Sequence, residues 1–167
     1  MKPTPNSIER KLDSEHFIVS KTDLVGNILY VNRYFIKISG YEEQELIGQP
    51  HNIIRHPDMP KVVFKMLWEH LKAGDEFWGY VKNLAKDGAY YWVFAHVTPS
   101  TNTITGKITG YHSDRRSADP KKLEKIIPLY QELLHIEQTQ SMEKAEAHLM
   151  KQLKAKEMTY EDFIFSL

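Results

Sequence analysis

One stretch limits what this chain can fold into: residues 48–60, GQPHNIIRHPDMP. Three prolines and a glycine fall within these thirteen residues, so neither a long helix nor a long strand runs through them. Ile53 and Ile54 still give the stretch an apolar anchor, and Arg55, His56 and Asp58 follow on a backbone stiffened by Pro57. A proline keeps the residue before it out of the α region, so Arg55 and His56 are presented on a bent, rigid segment. Two readings are open. Arg55 and Asp58 pair at a structural corner, or the cation, imidazole and carboxylate meet a ligand with polar or phosphate groups.

The flanking pattern divides cleanly. Residues 1–15 are polar and predict a mobile end with a short cap helix over Ser7–Leu12. The β-branched and aromatic run from His16 to Thr22 predicts a strand, residues 23–27 a turn, and residues 28–31 the returning strand. Asn32 is placed to cap a helix ending at Gly40, and a second short helix covers residues 42–47. Pro60 opens the longest helix of the globular part, with Val63, Met66, Leu67, His70 and Leu71 as its apolar stripe and Gly74 as its stop. Strands over 77–84, 89–98 and 107–113 follow. Strands grouped at both ends with helices between them predict an α+β domain, a five-stranded antiparallel sheet with helices on one face. The N-terminal pair is expected in the middle of the five. Residues 16–116 form this domain, and residues 117–167 a helical extension in which Pro128 either kinks the first helix or starts a second. The extension folds back on the sheet or meets a partner.

Composition narrows the chemistry. With 167 residues the chain is long enough for one domain and an appendage. Lys plus Arg and Asp plus Glu both count 22, which speaks against a nucleic-acid tract or a polybasic membrane anchor. There is no cysteine, hence no disulfide, thiolate metal site, iron–sulfur cluster or cysteinyl photoadduct. No apolar run is long enough to span a bilayer. No nucleophile–base pair, Gly-rich phosphate loop or metal-spaced histidine pair stands out, so the expectation is a sensor and not an enzyme. His70, His96 and His112 read as structural.

Several further stretches carry a family resemblance: SGY at 39–41, RHPDMPK at 55–61, WEHLKAG at 68–74, WGYVKN at 78–83, YWV at 91–93, GKITGY at 106–111 and PLY at 128–130. From Phe17 to Tyr130 the chain resembles the flavin-binding PAS domain of the aerotaxis-receptor (Aer) type. Those receptors continue into a membrane anchor, a HAMP module and a signalling coiled coil, which this sequence lacks. In that respect it is similar to the free-standing PAS protein of the CetA/CetB energy-taxis pair. The resemblance implies FAD as cofactor and a membrane-bound, CetA-like chemoreceptor as partner. It also implies a cytoplasmic place at the inner face of the membrane through that partner. A homodimer is a further expectation from the apolar tail. Haem or another small ligand, or a cofactor-free interaction module, are the alternatives.

By the same resemblance, Arg55, His56 and Asp58 match positions important for FAD retention, and Asn32, Trp68 and Asn83 match as well. The residues themselves suit the chemistry. Trp68 and Trp78 are available as walls for a flat ring, Asn32 and Asn83 can donate to and accept from its polar edge, and Arg55 and His56 suit a pyrophosphate, with Asp58 orienting one of them. Plainer roles stand beside these: Asn32 as a helix cap, and Trp68 and Trp78 as core. Asn83 sits on a strand, where Asn is depleted, and is the first candidate for an amide that rotates with the redox state of the ring.

Overall fold

The structure, a computed structural model, describes residues 2–167. Five strands build one antiparallel sheet: β1 (Ile18–Thr22), β2 (Ile28–Val31), β3 (Phe77–Leu84), β4 (Tyr90–Thr101) and β5 (Ile108–Ser117). Between β2 and β3 lie helices α1 (Arg33–Ser39), α2 (Glu43–Leu46) and α3 (Lys61–Ala73), with a 3-10 turn at His51–Ile54. Helices α4 (Pro120–Thr139), α5 (Met142–Ala155) and α6 (Tyr160–Ser166) follow the sheet. This is the α+β architecture expected from the order of elements.

The strand order is β2-β1-β5-β4-β3, which corrects the expected placement of the N-terminal pair. That hairpin forms one edge of the sheet, and β5 takes the centre between β1 and β4. The composition of β2 fits an edge, since Leu29 and Tyr30 are exposed. Residues 7–12 differ too. They form no helix but run extended beside the start of β4, where Tyr90 N donates to Ile8 O at 2.9 Å and Arg10 N donates to Tyr90 O at 2.8 Å. So short a helix is not stable alone, while a backbone lying beside a strand end satisfies groups on both chains.

The 48–60 stretch is neither a free loop nor an Arg55–Asp58 corner. On one side it is tied to β2, with Ile28 N donating to Gln49 O and Gly48 N to Ile28 O, both at 2.8 Å. On the other it is tied to β3 by an antiparallel bridge between Arg55 and Asn83 and by His56 N donating to Lys82 O at 3.3 Å. The stretch therefore reaches both edge strands of the sheet. That position places its buried Ile54, with His51 and Arg55, over the inner face of the sheet.

The tail folds back. Leu123, Ile126, Tyr130, Leu133, Leu149 and Ile164 join the same apolar core as Ile18, Phe35, Val62 and Tyr91. Helix α4 continues through Pro128 as one element, so no new helix starts there. The bond that this proline cannot donate falls to Glu124, on the exposed side of the helix. At the outer edge of β3 the Tyr130 hydroxyl donates to Tyr80 O at 2.7 Å, which satisfies one carbonyl of that edge. The carboxylate of Glu137 accepts from Lys61 N at 2.9 Å and from Val62 N at 2.8 Å, so α4 caps the N-terminus of α3. Pro60, at the cap position of α3, offers no side-chain bond of its own.

Candidate functional site

A cavity of about 240 Å³ lies between the inner face of the sheet and the wall made by α3 and the 48–60 stretch. Phe64, Leu67, Trp68 and Leu71 of α3 form one side. Val81 and Asn83 of β3, Ala95 and Val97 of β4, and Tyr111 and Arg115 of β5 form the other. Strand alternation explains the selection. Residues two apart point to the same face, so Val81 and Asn83 face α3 while Trp78, Tyr80 and Lys82 point to the opposite face of the sheet. Trp68 stands edge-on to Tyr111 with ring centroids 5.4 Å apart. The β1–β2 turn leans on it. Gly26 has φ +90°, and a Cβ there would lie 3.1 Å from the indole.

Of the seven residues singled out from the sequence, three line this cavity: Arg55, Trp68 and Asn83. Arg55 lays its guanidinium over the Phe64 ring, 3.6 Å from the centroid, and burial pulls its pKa down. Its Nε has no hydrogen-bond partner among the described residues. Asn83 is buried, and its Nδ2 likewise has no partner among the described residues. A buried amide nitrogen left without an acceptor costs about 1–3 kcal/mol, so something that accepts belongs beside it.

The other four lie elsewhere. Asn32 is fully used as the cap of α1: its Oδ1 accepts from Phe35 N at 3.0 Å and Val19 N at 3.1 Å, and its Nδ2 donates to Phe17 O at 2.8 Å. His56 is buried at the other side of the β3 edge, near Tyr90. Its Nδ1 accepts from Asp58 N at 3.1 Å, and burial followed by the charge of Lys82 lowers its pKa, so the ring is neutral. Asp58 pairs with Lys82 Nζ at 2.7 Å. Arg55 is extended and bridged to a strand, so successive side chains point to opposite faces and Arg55 and His56 part company. Trp78 is on the outer face, stacked on His96 with centroids 3.8 Å apart.

Thr22, Asn52, Ser113 and His112, the last read from the sequence as structural, also line the cavity, and among its polar residues that escaped the sequence reading Ser20, His51 and Arg115 stand out. They form one cluster. Ser20 Oγ and His51 Nε2 are 2.9 Å apart, and Arg115 Nη2 reaches both His51 Nε2, at 3.1 Å, and Ser20 Oγ. Burial and the neighbouring guanidinium push the His51 pKa down to about 3, so the imidazole is neutral. Its Nε2 then accepts, and the proton sits on Nδ1. Arg115 is 3% exposed, carries an Nε with no partner among the described residues, and lies 5.1 Å from the centroid of Phe35. Burial lowers its pKa to about 10. The signal that could have found it is alternation: Tyr111, Ser113 and Arg115 share one face of a central strand.

Residues 28–114, just over half of the chain, match the family model described as PAS fold. The chain belongs to the PAS family. It is 46% identical over 116 residues to the aerotaxis receptor of Escherichia coli K12, an alignment that covers 70% of this chain and 22% of the receptor. It is 30% identical over 84 residues to the nitrogen fixation regulatory protein of Klebsiella pneumoniae, across 50% of this chain and 17% of that protein. The chain thus spans less than a quarter of these relatives. Among solved structures, the light-state Aureochrome1 LOV domain has a TM-score of 0.59 at 17% identity, covering 69% of this chain and 90% of that one. The PAS domain of a Colwellia psychrerythraea protein has a TM-score of 0.52 at 22% identity, covering 61% and 86%. Both likenesses show the fold. Among the described residues, no helix is long and apolar enough to cross a membrane.

Proposed function

We propose that this PAS domain is a flavin-based redox sensor for aerotaxis or energy taxis, which hands its state to a separate, membrane-bound chemoreceptor-like protein. The reading places the chain in the cytoplasm, at the inner face of the membrane through that CetA-like partner. One observation carries it: an apolar, aromatic-walled cavity whose buried polar atoms, Asn83 Nδ2, Arg55 Nε and Arg115 Nε, are donors without acceptors. A flat ring with carbonyl oxygens and ring nitrogens along one edge supplies acceptors and fills apolar space at once. The 46% identity to a protein named an aerotaxis receptor supports the same choice.

The residues fit FAD in kind. Phe64, Leu67, Trp68 and Val81 would hold the ring, Asn83 would meet a polar atom of its edge, and Arg55 would take the phosphates. A volume of about 240 Å³ is just under the ~300 Å³ at which ligand pockets generally begin, so the space suits the ring and leaves the dinucleotide tail to its mouth. Bound flavin would supply reversible electron storage with a change of charge at the ring edge. The chain's own part is to report that change. Asn83 has a free donor to reorient, and its strand is bridged to Arg55. Helix α3 touches the cavity with one face and is gripped by Glu137 of α4 and, through Lys65, by Glu146 of α5. A shift in α3 therefore reaches the tail through two direct attachments.

Hydrogen exchange on the flavin-loaded protein, oxidised and then reduced without oxygen, tests the sensor reading. Changed protection in α3, α4 and α5 is expected. Identical exchange in both states would leave a flavin carrier with no signal. An Asn83→Ala protein that holds FAD and still shows the full difference would remove Asn83 as the lever.

A further inference from the structure

Arg115 is a buried cation without an anion. No Asp or Glu lines the cavity among the described residues. Asp114, its neighbour in the chain, points to the other face, where it lies 3.4 Å from His96 Nδ1. Tyr91, the phenol that shares the inner face with it, has its pKa pushed up by burial and stays neutral. What Arg115 does have is uncharged: the Ser20 hydroxyl, the lone pair of His51 Nε2 and the face of Phe35. These three fix its direction and leave its charge uncompensated. A buried guanidinium in such a setting is costly, and its Nε is still without an acceptor.

We infer that Arg115, aimed by Ser20 and His51, is the seat for a negatively charged, acceptor-bearing edge of the ligand, and that it makes the cavity prefer the ligand's anionic form. This rests on the flavin reading above. Two electrons and one proton added to the oxidised ring leave a ring anion whose charge lies on the uracil-like edge. A cation facing that edge stabilises the reduced ring more than the neutral oxidised one, because only the former gains a full charge pair in a poorly screened site. Arg55, whose guanidinium lies over Phe64 on the α3 wall, has a different task. Phosphates carry their charge in both redox states, so Arg55 adds affinity without preference. Ser20 and His51 act as positioning residues. They hold the guanidinium by one nitrogen, Nη2, and their neutrality keeps its charge available.

The test compares the affinity of the apoprotein for oxidised FAD and for FAD reduced with dithionite, which supplies both electrons, in wild type and in Arg115→Gln, Arg115→Lys and Arg55→Gln. Wild type is expected to bind reduced FAD more tightly. Arg115→Gln should lose at least tenfold of that preference. By linkage the midpoint potential then falls by about 30 mV, the shift that a tenfold change produces in a two-electron couple. Arg115→Lys, which keeps the charge, should retain most of the preference. Arg55→Gln should weaken both forms alike. A spectrum of the folded backbone for each variant separates loss of structure from loss of preference. Should Arg115→Gln fail to fold, Ser20→Ala, which frees the guanidinium, carries the same expectation in reduced size. A protein that binds FAD with a ratio unchanged by Arg115→Gln or Ser20→Ala overturns the inference and leaves the flavin reading standing. Wild type that takes up neither form overturns both.

Discussion

Removing Glu137 from α4 should loosen α3, the helix that walls the cavity. Its carboxylate accepts from two backbone N–H groups at the start of α3, at 2.9 and 2.8 Å, and the helix has no other side-chain cap there. Loss of a helix N-cap costs about 0.5–2 kcal/mol, and loss of a negative charge at the positive end of the helix dipole about 0.3–1 kcal/mol. Glu137 is half-buried, so water recovers part of both, and about 1–2 kcal/mol is expected for Glu137→Ala. Glu137→Gln keeps one acceptor oxygen and should lose about half of that. For a chain of this size each kcal/mol moves the melting temperature by about 2–4 °C, so Glu137→Ala should melt about 2–8 °C lower. Thermal unfolding followed by circular dichroism reads the shift. Hydrogen exchange then locates it: the amides of Lys61 and Val62 should lose protection before those of β4. A variant that melts like wild type and keeps those two amides protected would refute the claim that α4 holds α3 by this contact. Signal transfer from cavity to tail would then need another route.

Other expectations follow from the same geometry. Tyr130→Phe deletes the bond to the Tyr80 carbonyl and leaves a buried acceptor unpaired, at about 1–3 kcal/mol in denaturant unfolding. An unchanged unfolding midpoint would mean that water or another donor replaces the hydroxyl. Gly26→Ala forces a side chain into a left-handed turn against Trp68 and should cost about 1–2 kcal/mol while shifting tryptophan fluorescence; an unaltered spectrum would show that the turn does not brace the indole. His51 is neutral in the fold with its pKa near 3, against about 6.5 unfolded. The unfolded chain therefore binds more protons between these values, and stability falls as the pH drops from about 6.5 towards 3, by at most ~1.4 kcal/mol per unit for one group. His51→Gln should flatten that slope, and an unchanged slope would assign acid sensitivity elsewhere.

Much of this was legible in the residues because local chemistry decided it. Asn32 before an apolar helix, Gly40 and Gly74 after two helices, and the turn between β3 and β4 each specify their own element, and all stand as read. Where tertiary pairing decides, local pattern misleads. Residues 7–12 look helical alone but find the start of β4, and the place of β5 in the sheet centre depends on a partner strand some ninety residues away. The cavity was half legible. Asn83 was visible because Asn is unusual on a strand, and Arg55 because it stands with His56 and Asp58 on a proline-stiffened stretch. His56 and Asp58 drew notice in the same group, yet an extended backbone turns neighbours to opposite faces. Arg115 stood beside Arg116, and only the alternation that it shares with Tyr111 and Ser113 along β5 separates the inward arginine from the outward one. Ser20 and His51 were silent for the same reason: their role appears only when β1, β5 and the 48–60 stretch meet.

The most direct test of the account is chromophore content. The protein would be purified gently, its visible spectrum recorded, and any released group identified, in parallel with Ala95→Phe, which fills the cavity from β4. The account expects FAD in wild type and none in the folded Ala95→Phe protein. A colourless wild type that takes up no added FAD, a haem band, or flavin that persists in Ala95→Phe would contradict it.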